Sequence, residues 1–256
     1  VDTGMDRQHP DLVDRIVVSH NFVDQDPDRF DQDEHGTTVA GIIAATANND
    51  LGIVGIAPEV KLIALKACWQ DQKTRKSSCD SYSVLKALVE VLKLEPDILN
   101  LSLAGPPDPT IARLLTAASD KGIIIVAAVD PSRKVSFPAS MPQVVAVSTS
   151  LEPGEMMPAN AVLAPGVDVL TMTPGATYAF RSGSSMATAY VSGVAALVRE
   201  GQRRLSGEQF RTQLIASSQQ SINRIPVVDI CHAVLDAARP GDCPTDVFVA
   251  AEHGAR

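Results

Sequence analysis

Three residues of this 256-residue chain are of the types, and stand in the places, that acyl-transfer chemistry requires. Ser185 lies where an irregular segment rich in Gly and Pro, residues 164–180, gives way to a helix pattern of small residues through Met186, Ala189, Gly193, Ala196 and Leu197. A serine on the first turn of a helix has unpaired backbone N–H groups around it and the positive end of the dipole behind it. Such a place can hold a developing oxyanion, although the same residue also serves as an ordinary N-cap. His35 opens a second small-residue helix, which runs on through Val39 to Ala45. Asp2, ahead of the Gly4 turn, resembles the C-terminal edge of a buried strand. Each has a plain structural use alone: Asp2 as turn former, His35 as loop histidine, Ser185 as cap. Together they form a constellation of one strand end and two helix starts, in the chain order Asp, His, Ser.

The intervening elements must bring these residues together. Val60 to Ala67, Ile98 to Leu103, Ile123 to Val129 and Val144 to Val147 are apolar runs of the kind that buried parallel strands require, with a shorter one at Ile16 to Val18. Helical patterns alternate with them. One begins at Ser81, read as its cap, with apolar residues at 84, 85, 88, 91 and 92, and ends before Pro96. Another covers Ile111 to Asp120, with Gly122 just beyond it, and later ones fall near residues 185–202, 206–217 and 230–238. This alternation predicts an α/β fold, a three-layer sandwich with a mostly parallel central sheet and helices on both faces. Ligands of such sheets bind at the carboxyl ends of the strands, where Asp2, Ser102 and Asp130 fall.

Composition narrows the function. With 45% hydrophobic and 20% charged residues the chain is globular, and its length suits one domain. We divide it into a domain over residues 1–240 and a tail over 241–256. A net charge of -8 argues against nucleic acid and anionic membrane surfaces as partners, and no apolar run is long enough to span a bilayer. The start at Val1-Asp2 suggests a processed or excised piece of a longer protein. Cys68/Cys79 and Cys231/Cys243 each bracket a polar loop without metal-type spacing. Two short-range disulfides in a secreted or periplasmic protein are the preferred reading, four reduced thiols the other.

The motifs Asp2-Thr3-Gly4, His35-Gly36-Thr37 and Gly183-Ser184-Ser185-Met186-Ala187 resemble the three signatures of the subtilisin-like serine proteases, in that family's order of Asp, His and Ser. His9-Pro10-Asp11-Leu12, Gly55-Ile56-Ala57-Pro58, Asn100-Leu101-Ser102-Leu103, Phe137-Pro138-Ala139 and Ala164-Pro165-Gly166 resemble further family landmarks, so the likeness covers roughly Val1 to Ala238. It implies a serine endopeptidase acting on a peptide or protein substrate. Ser185 would attack, His35 would relay the proton, Asp2 would orient His35, and the Ser185 N–H would donate to the oxyanion. The substrate would pair as a strand with Ser102-Leu103-Ala104. A family calcium site falls on Asp11 and Asn49 with the carbonyls of Ala47, Leu51 and Ile53, all hard oxygen ligands.

The chain departs from the family in three places. The usual oxyanion asparagine is absent from Ala127-Ala128-Val129-Asp130-Pro131-Ser132: without a gap Pro131 takes its place and donates nothing, and with one deletion Asp130 does, as a donor only when protonated. Ala189-Tyr190 stands in place of Pro-His, which is expected to leave more room around Ser185. The strand that carries the family aspartate would precede Val1, so Asp2 is expected to fray unless a propeptide or N-terminal fragment supplies that strand. The alternatives are therefore a catalytically impaired pseudoprotease that binds a peptide or protein partner, and a peptide ligase or transpeptidase. The other histidines, His9, His20, His232 and His253, are assigned to turns, packing, surface or tail.

Overall fold

The computed structural model describes residues 1–235 apart from 25, 27, 72, 150–156, 219, 223 and 224, together with Cys243. The end of the last expected helix and the tail assigned to 241–256, Cys243 aside, lie outside these. In chain order the elements are β1 (Ile16–Asn21), α1 (Glu34–Ala44), β2 (Leu62–Lys66), β3 (Cys68–Gln70), β4 (Ser77–Cys79), α2 (Ser81–Leu94), β5 (Ile98–Leu101) and α3 (Pro109–Asp120). There follow β6 (Ile124–Ala128), β7 (Val144–Ser148), β8 (Ala161–Leu163), β9 (Val169–Thr173), β10 (Thr177–Arg181), α4 (Ser184–Gly201), α5 (Gly207–Ser217), β11 (Gln220–Ile222), β12 (Ile225–Val227) and α6 (Ile230–Leu235).

Among the described residues the main sheet runs β11-β12-β8-β7-β6-β5, parallel except for the outer β11–β12 pair. The register of β6 explains its unbroken aliphatic sequence. Ile125 and Ala127 face α2 and α3, packing with Leu88, Val91 and Leu115. Ile124 and Val126 face α4 and α5, packing with Val194, Val198, Phe210 and Leu214. A strand covered on both faces has no polar side, so alternation disappears. Burying each of the Ile and Val side chains contributes about 1.5–3 kcal/mol against chain entropy.

β1 and β2 form a separate parallel pair. A cavity of about 990 Å³ lies between its edge, at Leu62, Ile63 and Leu65, and the β5 edge at Ile98, Leu99 and Asn100. Residues 1 and 2 bridge one end of this gap. The Val1 ammonium donates to the Asn100 carbonyl at 3.1 Å, and Asp2 pairs in parallel with Lys66. Asp2 N–H donates to Leu65 O, while the Asp2 carbonyl accepts from Ala67 and Cys68. Asp2 is thus held by backbone bonds and only 8% exposed, contrary to the fraying expected of a second residue.

Three local expectations need correction. Asp80, not Ser81, caps α2, its carboxylate accepting from Ser83 N at 2.9 Å. The Cys68–Cys79 segment is not a plain loop: β3 and β4 pair antiparallel with the cysteines opposite and bonded, and Cys68 is buried. Much of residues 164–180, expected to be irregular, belongs to the β9–β10 hairpin. Its strands pair around Pro174-Gly175, with φ of +80° at Gly175. Pro and Gly here mark one turn inside regular structure.

Candidate active site

The turn Asp2-Thr3-Gly4 abuts the first turn of α1 because Gly36 puts no side chain between them, and it packs on Phe30 because Gly4 has none either. A Cβ on Gly36 would lie 1.8 Å from the Gly4 carbonyl oxygen, and one on Gly4, at φ +93°, would lie 2.3 Å from Phe30 O. The contact is closed by Gly36 N–H donating to Thr3 Oγ1 at 3.1 Å. It places His35 Nδ1 2.7 Å from Asp2 Oδ1, which also accepts from Thr3 N–H at 2.7 Å.

Burial pushes the Asp2 carboxyl up, but the charge and hydrogen bond of His35 outweigh it and hold Asp2 below the ordinary carboxylate value. Burial likewise pulls the His35 imidazole down. The Asp2 charge and hydrogen bond, helped by Glu34, outweigh this and raise it above its ordinary value. The pair therefore favours a carboxylate facing an imidazole that readily becomes imidazolium, which is what a proton-relaying base needs.

Ser185 is the second residue of α4, behind Gly183 at φ 144°. Its Oγ donates to the Ser102 carbonyl at 3.5 Å, Ser102 Oγ donates to the Ser185 carbonyl at 3.3 Å, and no hydrogen bond joins Ser185 to His35. Ser185 and His35 nevertheless line one cleft of about 490 Å³ with Asp2, Ser102, Leu103 and Ala104. Hydrogen bonds of this kind commonly tighten only when substrate is bound. The 102–104 segment follows the C-terminal end of β5, where the α/β rule places a ligand.

Asp130 departs from expectation. Its carboxylate accepts from Ser132 Oγ at 2.6 Å, Ser132 N at 3.1 Å and Arg133 Nε at 2.8 Å. The Ser132 hydroxyl first, then the Ser132 N–H and Arg133, hold it below the usual carboxylate range. Asp130 is thus an anion tied into its own turn, not a protonated donor, and Arg133 rather than Asp130 lines the cleft. Ala189 is fully buried beside Met186, Val39 and Ile43.

Asp11 is fully buried. It accepts from Asn49 Nδ2 at 2.6 Å, Tyr178 OH at 2.8 Å and Ile53 N at 3.3 Å, and Asn49 Oδ1 accepts from Leu51 N at 3.2 Å. Burial, then Asp11, pushes the Tyr178 hydroxyl up to about 12, so it remains a donor. Among the described residues no group of three or more His, Cys, Asp or Glu is placed to hold a metal ion. A cation here would rest on Asp11 with neutral oxygens.

Sequence reasoning did not single out Lys66, Asp33 or Glu34, which surround Asp2 and His35. Lys66 ends an otherwise apolar strand, and a charge in that position was the available signal.

The subtilase family model matches residues 1–226, and the chain belongs to that family. It is 35% identical to the "Thermophilic serine proteinase" of Bacillus sp. (strain AK1), over 77% of this chain and 50% of that protein. It is 34% identical to "Subtilisin BL" of Lederbergia lenta (84% and 80%) and 32% identical to the "Major intracellular serine protease" of Bacillus subtilis (strain 168) (84% and 73%). The chain thus spans half of the AK1 proteinase, and 65% of the "Intracellular serine protease" of Paenibacillus polymyxa. The solved structure of fervidolysin from Fervidobacterium pennivorans matches with a TM-score of 0.76 over 91% of this chain and 41% of that one; at 23% identity the likeness shows the fold.

Proposed function

We propose that this chain is a serine endopeptidase working through Asp2, His35 and Ser185. The carrying observation is the 2.7 Å Asp2–His35 contact in the same cleft as a serine at a helix start. Ser185 Oγ attacks the peptide carbonyl as His35 takes its proton. His35 then delivers the proton to the leaving amine, and water repeats the sequence on the acyl-enzyme. The Ser185 N–H donates to the oxyanion. Without a second, side-chain donor the barrier rises by about 3–4 kcal/mol, so turnover is slow. A fluorophosphonate probe tests the reading: it should label Ser185, and His35→Ala should abolish labelling. Folded protein that resists the probe would be a pseudoprotease binding its partner in the same cleft. Amide formation with an added amine, in place of hydrolysis, would instead mark a ligase.

The two disulfides leave no free cysteine among the described residues, which supports a secreted or periplasmic setting.

Calcium remains part of this proposal as a structural ion, with no step of the chemistry passing through it. Asp11, buried with neutral donors alone, lacks a compensating cation, and Asn49 with the carbonyls of Ala47, Leu51 and Ile53 would complete an oxygen set. Calcium added to EDTA-treated protein should raise Tm by several degrees; equal Tm values would mean that the hydrogen bonds alone close this loop.

The gap between β2 and β5 suits an extended apolar segment, supplied by a propeptide or N-terminal fragment, parallel to both edges. The Val1 nitrogen donates to the Asn100 carbonyl at 3.1 Å, a contact that a strand running on upstream of Val1 would extend along the β5 edge. Fusing about five β-branched residues ahead of Val1, the length of an ordinary strand, should raise Tm. An unchanged or lower Tm would reject strand completion.

A further inference from the structure

Glu34, the first residue of α1, stands beside His35 with its side chain only 14% exposed. Its two carboxylate oxygens face two guanidinium groups from distant parts of the chain. Arg181 Nε, at the end of β10, donates to Oε1 at 2.5 Å, and Arg75, in the turn between β3 and β4, donates to Oε2. A second link runs through Gln70, whose Oε1 accepts from Glu34 N–H at 3.2 Å while its Nε2 donates to Arg75 O at 2.8 Å.

The joined segments all serve the cleft. Cys68, Ser77, Ser78 and Cys79 of the β3–β4 hairpin form part of its wall. Arg181 leads through Ser182 and Gly183 into the helix start that carries Ser185. Glu34 itself belongs to the turn that carries His35. We infer that Glu34 is a positioning residue, clamping the hairpin wall and the approach to Ser185 onto the turn that carries the base. The inference rests on the proteolytic reading above for its kinetic consequence, but not for its geometry.

Isolated, fully exposed ion pairs contribute little, because water screens both charges. Glu34 differs in being shared by two cations and largely withdrawn from solvent. It also acts electrostatically, being one of two anions that favour the charged form of His35, after Asp2. Of the other charges, Lys66 and Asp33 pair with each other, Arg75 and Arg181 offset Glu34, and across the cleft Arg133 pairs with Asp130 while Asp80 accepts from Ser83.

The signs give a signature that mere loosening would not produce. Glu34→Gln removes an anion and leaves two cations uncompensated, so the His35 pKa should fall by a few tenths of a unit. Arg181→Met leaves Glu34 less compensated, so it should rise. Glu34→Asp keeps the charge and should restore the wild-type value. His35 is titrated by NMR in each variant, with folding checked by circular dichroism. Alongside, the rate at which a fluorophosphonate acylates Ser185 is followed against pH. Glu34→Gln should also slow acylation at its pH optimum several-fold, with the acid limb displaced downward. Equal His35 pKa values in all variants, or shifts of one sign, would overturn the inference. If Ser185 stays unlabelled throughout while the His35 pKa moves in the two directions, the proteolytic reading fails and the Glu34 clamp stands.

Discussion

Ser185→Ala should lower kcat for peptide hydrolysis by roughly 10³–10⁴-fold, with KM little changed. In subtilisin, the family's type enzyme, loss of the serine or the histidine costs about 2 × 10⁶ in kcat. The smaller expectation here follows from the altered oxyanion site. A triad enzyme stripped of its triad still works through transition-state binding, and the intact enzyme gains most when the two act together. In this chain the turn that resembles the family's oxyanion turn offers no neutral side-chain donor, since Asp130 is an anion bound to Ser132 and Arg133, so under the proposed mechanism the intact protein should already be about 10²–10³-fold slow. The further fall is correspondingly shallower. His35→Ala should match Ser185→Ala, and the double variant should be no worse than either, because serine and base act as one unit. Steady-state kinetics on a chromogenic peptide decide the matter. If Ser185→Ala retains the wild-type rate, hydrolysis comes from elsewhere and the assignment fails. If His35→Ala and Ser185→Ala losses multiply, the two do not form a relay.

What could be read from sequence depended on the range of the interaction that carried it. The local placement of Asp2, His35 and Ser185 is legible because each sits at a signal, a glycine turn or a helix start, that neighbouring residues create. The cysteine pairs were legible for the same reason, with sequence separations of 11 and 12 residues. Glu34 was not, because its partner Arg181 lies 147 positions away, and no pattern near residue 34 identifies that arginine. The β9–β10 hairpin shows a short-range limit, because Pro174-Gly175 marks one turn while composition alone spreads its irregularity over the whole segment. Asp130 shows a different limit. The residue type was evident, but Ser132 and Arg133 decide where its carboxylate points and which protonation state it keeps. A one-residue change in how that turn folds would alter both.

The largest effect on stability should come from Lys66→Met. Lys66 is 1% exposed, and its Nζ donates to Asp33 Oδ2 and the Thr3 carbonyl. Asp33 is as deeply placed, at 6% side-chain exposure, and immediately precedes the helix that carries His35. Thr3 follows Asp2, the strand partner of Lys66. One ammonium thus joins the Asp2-Thr3 turn to the start of the helix that carries His35. Removing it leaves an anion buried without its cation, which costs about 3–5 kcal/mol, and strips the Thr3 carbonyl of its donor as well. The companion Asp33→Leu, Lys66→Met variant separates these terms. With both charges gone the desolvation penalty disappears, and the unsatisfied Thr3 carbonyl remains at about 1–3 kcal/mol. Urea unfolding should therefore rank the double variant between wild type and Lys66→Met. A double variant as unstable as the single one would mean that shape, not charge, makes Lys66 necessary. A Lys66→Met loss below about 1 kcal/mol would place the pair among water-screened surface contacts. The double variant should still lose activity, because an apolar contact between residues 33 and 66 has no directional bond with which to hold Thr3, and hence Asp2, against His35.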